Sequence, residues 1–552
     1  MKKWRVNFIF IILILFGAAI LGRLIFIQII QYDLYKALAQ GQQKTFESTK
    51  GDRGKIFFRG GEILATNTKR KYVFVSPSEI KEKEKIAEEL SQILNIDKDE
   101  LLKKIEKDNL FEEIKIDLSE KEYNDLKDIE LNGVYVSESI AREYPQKSLG
   151  GHIVGFLGGE DEGQYGIEGY YDDYLRGKES FKEIERGFGK YFFGNDEESN
   201  EGKDIFLTID YNIQFMAEKL LKKAKQDLDI ESGQIIVIDP NSGSIMALAD
   251  YPGFNPNEYS EVEDLEVFQN SAIQKLFEPG SVFKPMTMAS ALDQGKITPE
   301  TTYYDKGTVK AGGSSIFNYD ERSYGQQTMT GVLEKSINTG VVFAERQLGN
   351  ELFLKYLNNF GFFQKTGIDL QGEIFSENEE FKKGYEINFI TASFGQGIEI
   401  TPIQLVRAFS SIANGGKLID PHVNKNFIQD DIASDNIVIS KKTSSDLTAM
   451  LVSVVENGFA KKAGIPGYYI AGKTGTAQVA LSALGISKKG YSNKTWQSFI
   501  GFAPAFNAKF LILVKLDNPK ANTAEYSALP IFRELAKYTI DYLEIPPDYE
   551  VE

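Results

Sequence analysis

The opening stretch, MKKWRVNFIFIILILFGAAILGRLIFIQII, holds an uncharged, mostly apolar run from Val6 to Gly22, which Arg23 interrupts and Leu24 to Ile30 resume. A helix over Val6–Ile30 is long enough to cross a bilayer, which takes about 20 residues. Lys2, Lys3 and Arg5 precede the run, predicting a cytoplasmic N-terminus and an extracytoplasmic remainder after about residue 32. A cleaved signal peptide is the alternative, but no small-residue cleavage site precedes a polar start. Residues 45–200 are charged and mixed. KEKEKIAEELSQILNIDKDELLKKIEKDN reads as amphipathic helices with solvated faces, and GDRGKIFFRGGEILATN (Gly51–Asn67) as two short strands about a Gly60–Gly61 turn. A second region begins near Asp204. DIFLTID predicts a strand, YNIQFMAEKLLKKAKQDL an amphipathic helix, and GQIIVIDPNSGSIMALADY a hairpin turning at Asp239–Gly243. The final EIPPDYEVE reads as a loose acidic tail. The expected organisation is a cytoplasmic stub and anchor (1–32), an elongated module (33–200), a larger domain (201–545) and a tail (546–552). No internal repeat, coiled coil or low-complexity tract appears.

Composition removes several chemistries. The 552 residues carry a formal net charge of −17, which argues against sequence-independent nucleic-acid binding. The absence of cysteine excludes disulfides, thiol catalysis and thiolate metal sites. With two histidines, His152 and His422, a Ser-His-Asp triad would have to use one of them, so a serine enzyme built on this chain is expected to use a lysine base.

LFEPGSVFKPMTMASALDQG places Ser281 after Pro279-Gly280 and Lys284 three residues on. Pro285 is tolerated only near a helix start, so a helix is predicted from about Ser281, with Lys284 on the same face and free N–H groups nearby. A capping serine with a solvated lysine is the bland alternative. Ser336 and Asn338 form S-x-N in LEKSINTGVVFAERQLG, a pairing that usually caps helices. GYYIAGKTGTAQVA holds Lys473, Thr474 and Gly475 in a run of strand character. Alternation puts Thr474 and Thr476 on one side, and Gly475 leaves room for a substrate backbone. FFQKTGIDLQGE repeats K-T-G at Lys365, Thr366 and Gly367, but a polar glycine-containing segment follows it, and it is taken as a decoy.

The order S-x-x-K, S-x-N, K-T-G is that of the serine acyltransferases that react with β-lactams. FEPGSVFKP, KSIN, ASFGQGIEITPIQL, AGKTGTAQ, VIDPNSGSIMALADYPGFNPN and IANGGK together resemble the class B penicillin-binding proteins. RGKIFFRGGEILA and HIVGFLGG…GQYGIEGYYDDYLRG resemble that family's non-catalytic pedestal, or dimerisation, module. Phe58 stands where the family usually has an acidic residue, and Ile337 makes the middle residue of S-x-N differ from the S-D-N of class A β-lactamases.

The resemblance implies an α+β fold: a penicillin-binding transpeptidase/β-lactamase-like antiparallel sheet flanked by helices, on an elongated N-terminal pedestal, behind one transmembrane helix in the plasma or inner membrane. It implies a peptidoglycan D,D-transpeptidase that cross-links stem peptides through a serine acyl-enzyme and is trapped by β-lactams. Ser281 would be the nucleophile, Lys284 its base, Ser336 a proton shuttle and Lys473 a further catalytic cation. Asn338, Thr474, Gly475 and Thr476 would bind substrate, with an oxyanion hole from the N–H groups of Ser281 and Thr476. No metal or other cofactor is implied. The anchor and following helix, GRLIFIQIIQYDLYKALAQGQQ, resemble the septal, FtsI-like group, with an elongation-type role as the alternative. The expected partners are a membrane-embedded glycan polymerase, divisome proteins and the lipid bilayer, with no nucleic acid. Glu168 is the likeliest pedestal acid to sit in a buried ion pair. A D,D-carboxypeptidase would pass the same acyl-enzyme to water. A β-lactamase would need a deacylating base, and no E-x-x-L-N lies between S-x-N and the later K-T-G. A sensor or dead scaffold fits poorly with a short N-terminal stub and three intact motifs.

Overall fold

The computed structural model describes residues 10, 13–18, 20–22, 44–129, 131–159, 161–177, 179–185, 201–319, 321–427, 436–488 and 490–550, with backbone only at 44–50, 179–185 and 382. The expected span Val6–Ile30 lies mostly outside these residues; among the described ones no helix is long and apolar enough to cross a membrane. The chain separates into two contact units. The smaller, Met1–Gly54 with Arg176–Lys203, contains strand β1 (Lys44–Lys50) paired antiparallel with Glu179–Glu185, Lys44 opposite Glu185.

The larger unit, Lys55–Leu175 with Asp204–Glu552, holds everything else. Its pedestal portion forms as the glycine turn predicts. β2 (Ile56–Phe57) and β3 (Ile63–Val75) pair antiparallel across Gly60-Gly61. Helices α1 (Lys83–Leu94) and α2 (Lys98–Ile105) bury Ile86, Leu90, Leu94, Leu101 and Ile105 against Val73 and Val75. The predicted solvated faces are on their other side. β4 (Glu112–Lys115) and β5 (Val134–Glu143) pair with β3, and Ile205–Phe206 pairs parallel with β2 in the same sheet.

This portion joins the catalytic portion through specific bonds. Tyr171 Oη donates to Asp369 Oδ2 at 2.9 Å, and Asp369 also accepts from Val423 N and Asn424 N at 2.7 and 2.9 Å. Tyr144 N donates to Asn257 Oδ1 at 3.0 Å. Behind this joint Arg142 Nε donates to Glu168 Oε1 at 2.7 Å, with both side chains buried. That is the ion pair anticipated for Glu168. Phe58 is fully buried and meets Tyr211 edge-on at 5.4 Å between ring centres, so an aromatic contact occupies the place of the family's usual acid.

The catalytic portion is built on one five-stranded antiparallel sheet. After α3 (Tyr211–Leu228) come the predicted hairpin strands β6 (Ser232–Ile238) and β7 (Ile245–Tyr251). The remaining strands come from the far end of the chain: β8 (Ala471–Ala480), β9 (Tyr491–Ala503) and β10 (Phe510–Asp517). Their order is β7-β6-β10-β9-β8, which leaves the K-T-G strand β8 at an edge. β10 reads FLILVKLD as a nearly continuous apolar run because helices cover both sheet faces, so no polar alternation is selected. α3 and α4 (Ala528–Tyr542) pack on one face. α5 (Pro402–Ala413) and α6 (Lys441–Glu456) pack on the other.

Residues 546–550 are not a loose tail. Asp548 N donates to Gly467 O and Asp548 Oδ2 accepts from Tyr469 N, each at 2.8 Å. Tyr468 Oη donates to Ile545 O at 2.7 Å, and the Tyr549 ring lies 5.0 Å from that of Tyr469. Prolines 546 and 547 hold the backbone extended for this docking, a preference that the acidic composition masked.

Candidate active site

Ser281 lies in a short 3-10 turn, Gly280–Phe283, before the α-helix α7 (Lys284–Asp293). The sequence predicted one helix from Ser281. The tighter first turn arises with Pro285 at the second position of α7, where its missing N–H costs no internal bond. Ser281 lies inside the turn, whose N-cap is Pro279, and Lys284 is buried, so the reading of a capping serine with a solvated lysine does not hold. Gly280 N donates to Gly395 O at 2.9 Å, so the ASFGQG motif anchors the serine turn. Gly395 has φ +82°, and a Cβ there would fall 2.1 Å from Gly280 O. Gly475 also leaves room within the protein itself. A Cβ on it would meet Val282 Cγ1 at 2.9 Å and Ser498 Oγ at 2.8 Å, so the close approach is by the serine turn itself.

Ser336 sits between two helices, α8 (Met329–Glu334) and α9 (Asn338–Leu348), with φ +53°, a left-handed conformation unusual for a side-chain-bearing residue. That break aims its hydroxyl at two buried lysines. Lys284 Nζ donates to Ser336 O at 2.6 Å and Ser336 Oγ at 3.2 Å. Lys473 Nζ donates to Ser336 Oγ at 3.0 Å, Thr474 O at 3.1 Å and Thr474 Oγ1 at 3.5 Å. Lys284 is 0% exposed and Lys473 1%. Burial, followed by the like charge of Lys473, holds the Lys284 amine well below its ordinary range; burial alone brings Lys473 down to about 7.

The hydrogen bonds of Lys284 go to Ser336 alone, and those of Lys473 to Ser336 and Thr474. Sequence spacing suggested that Lys284 faces Ser281; in the structure its hydrogen bonds go to Ser336.

Ser281, Ser336, Thr474 and Thr476 line one cleft of about 270 Å³. Thr474 and Thr476 share a side of edge strand β8, as alternation required. Thr476 Oγ1 accepts from Ala524 N at 3.1 Å, which brings Thr523, Ala524 and Glu525 to the cleft wall. Asn338 is not among the lining residues, and its Nδ2 donates to Phe317 O at 2.9 Å. Asn318, Tyr319, Tyr324, Lys335 and Phe459 also line the cleft, and sequence reasoning did not single them out. His152 Nε2 bonds Val267 O and His422 Nε2 bonds Ser244 Oγ; neither histidine lines the cleft. The decoy is a separate turn: Lys365 is exposed and Thr366 Oγ1 donates to Glu373 Oε1 at 2.6 Å.

The penicillin binding protein transpeptidase domain matches residues 233–537, and the penicillin-binding protein dimerisation domain matches 48–207. The chain belongs to the class B penicillin-binding proteins. Stage V sporulation protein D of Bacillus subtilis is 33% identical over 546 residues, 95% of this chain and 83% of its own length. Peptidoglycan D,D-transpeptidase FtsI of Escherichia coli is 26% identical over 99% of this chain and 93% of its own. The crystal structure of penicillin binding protein 3 from Mycobacterium tuberculosis, complexed with aztreonam, shares the fold with a TM-score of 0.69 at 24% identity, covering 91% of this chain and 98% of that one.

As a class B penicillin-binding protein the chain is a peptidoglycan D,D-transpeptidase, a penicillin-sensitive serine acyltransferase acting on stem peptides. Ser336, at which the two buried lysines meet, lines the same cleft as Ser281.

Proposed function

We propose that Ser281 Oγ attacks the carbonyl between the two terminal D-alanines of a donor stem peptide. Lys284 takes the serine proton, the ester C–O bond forms, and the C–N bond to the terminal D-alanine breaks. With both Ser336 Oγ lone pairs occupied by the lysines, its own hydrogen is left to pass to the leaving amine and is replaced from Lys284. A second stem peptide's amine then attacks the ester: the new C–N bond forms, the ester C–O bond breaks, and the amine's surplus proton passes through Lys284 to Ser281 Oγ. Lys473, Thr474 and Thr476 receive the donor's carboxylate, and the N–H groups of Ser281 and Thr476 stabilise the oxyanion. The free edge of β8 suits an extended peptide added as a strand. Asn338 would bind substrate amides only after releasing Phe317. The carrying observation is that Lys284 and Lys473, both buried, converge on Ser336 in the cleft that holds Ser281.

The same reading assigns the enzyme to septal wall synthesis, behind an N-terminal anchor over Val6–Ile30 with residues 201–545 outside the cytoplasm. A pedestal over 33–200 would dock a membrane-embedded glycan polymerase and divisome proteins. The relative named FtsI, spanning nearly the whole chain, supports the septal role. Tagged protein should concentrate at midcell; distribution along the side wall would favour the elongation-type role. Purified protein should make no glycan chains from lipid-linked disaccharide alone, and should co-purify with a polymerase. Glycan made by the chain alone would overturn this division of labour. Release of free D-alanine without cross-linked product, when donor and acceptor are both supplied, would favour the D,D-carboxypeptidase.

A further inference from the structure

One wall of the cleft comes from a flap. Its base is Thr302–Asp305 paired antiparallel with Gly325–Thr328, and it encloses a hairpin, Thr308–Ala311 with Ser314–Phe317. The flap supplies Asn318, Tyr319 and Tyr324 to the cleft. At its base lies Asp305, a fully buried carboxylate with no ion pair among the described residues. Its four acceptor positions are filled. Oδ1 accepts from Gly307 N at 2.9 Å and from Thr339 Oγ1 at 2.6 Å. Oδ2 accepts from Asn318 Nδ2 at 3.0 Å and from Tyr324 N at 2.8 Å. Three donors belong to the flap; the fourth, Thr339, is in α9, three residues after Ser336. A second bond closes the link: Thr339 N donates to Asn318 Oδ1 at 3.2 Å.

A buried carboxylate is costly unless every lone pair is satisfied, so this cluster holds one geometry strongly. It fixes the flap's tyrosines relative to the start of α9, which follows the break that holds Ser336. Tyr319 is 72% exposed, too open to owe its position to core packing. The Asn318 side chain cannot be a free substrate amide, because Asp305, Arg322 O and Thr339 engage it.

We infer that Asp305 is a positioning residue for substrate binding: through Asn318, Tyr324 and Thr339 it latches the flap to the start of α9 and sets the wall against which a stem peptide or β-lactam is held before Ser281 reacts. This rests on Ser281 being the nucleophile. No hydrogen bond among the described residues joins the flap to Lys284 or Lys473, and Ser336 Oγ is held by those two lysines, so the latch acts on binding through the cleft wall.

The test is rapid-mixing acylation of the full-length chain by a fluorescent penicillin, resolving the dissociation constant of the pre-covalent complex from the limiting acylation rate, with active sites counted by titration. Asp305→Asn turns one acceptor into a donor facing donors. Thr339→Val removes the hydroxyl's contacts with Asp305 and Asn318 at nearly constant volume, and Thr339→Ser keeps them. Asp305→Asn and Thr339→Val should raise the dissociation constant about tenfold per titrated site with the limiting rate little changed, and Thr339→Ser should match wild type. Tyr319→Ala should raise the same constant. If Asp305→Asn fails to fold, Thr339→Val carries the test. A role confined to folding would lower the titrated fraction and leave both constants as in wild type, which would overturn the inference, as would an equal loss in the limiting rate. Wild-type protein that is acylated elsewhere than at Ser281 would instead sink the reading on which the inference rests.

Discussion

Lys284 and Lys473 reach the same oxygen, Ser336 Oγ, from 3.2 and 3.0 Å, and among the described residues no carboxylate bonds either of them. Burial lowers both amines, and the like charge of Lys473 lowers Lys284 further below its ordinary range. Replacing Ser281 or Lys284 by alanine should abolish covalent labelling by fluorescent penicillin in protein that still unfolds cooperatively, whereas Lys365→Ala should label normally. Labelling of Ser281→Ala at the wild-type rate would refute the nucleophile.

The depressed Lys473 amine also has a signature in stability. Its folded value is about 7 against an ordinary 10.5, so between these limits the unfolded chain binds a proton that the folded chain does not. Stability attributable to this group therefore rises with pH across that window. Lys473→Met should be most stabilising relative to wild type at and below pH 7, and the gap should shrink on going to about pH 10. Urea midpoints at both ends of the window test this; a gap that is constant or widens with pH would contradict it.

Gly395→Ala should cost about 2 kcal/mol or more, because the residue has a left-handed φ and its new methyl would strike Gly280 O. The displaced partner is the turn carrying Ser281, so acylation should slow beyond the loss of folded protein. Equal acylation per titrated site in variant and wild type would show that the turn does not depend on this contact.

Glu168→Ala should cost about 3–5 kcal/mol by leaving Arg142 buried without its partner. Neither residue lines the cleft, so penicillin acylation of the surviving folded protein should be unchanged. The pair Arg142→Met with Glu168→Leu should recover most of the melting temperature. A single-variant melting temperature equal to wild type would remove the ion pair from any role in the joint.

What the sequence disclosed and what it concealed follow the range of the interactions. Thr474 and Thr476 obey the two-residue period of a strand, so local geometry predicted their shared side, whereas the spacing of Ser281 and Lys284 did not reveal that the lysine's bonds go to Ser336. The β2–β3 hairpin was announced by its glycines. The latch of Asp305, Asn318 and Thr339 spans 34 residues, and the bond from Ala524 to Thr476 spans 48. No periodicity encodes contacts of that reach. Ser336 was found by its motif, but its left-handed backbone was not, since the strain is held by the helices on both sides. Glu168 was read as an ion-pair member while its partner, Arg142, emerged only when β5 paired with β3.

The docking of residues 545–549 against Gly467–Tyr469 has a practical corollary. Those three residues lead, through Ile470, straight into the strand bearing Lys473. A fluorescent reporter fused after residue 550, or a truncation before Ile545, would pull on the ligature that fastens the entry to the catalytic strand, so an imaging fusion for the midcell experiment belongs at the other terminus.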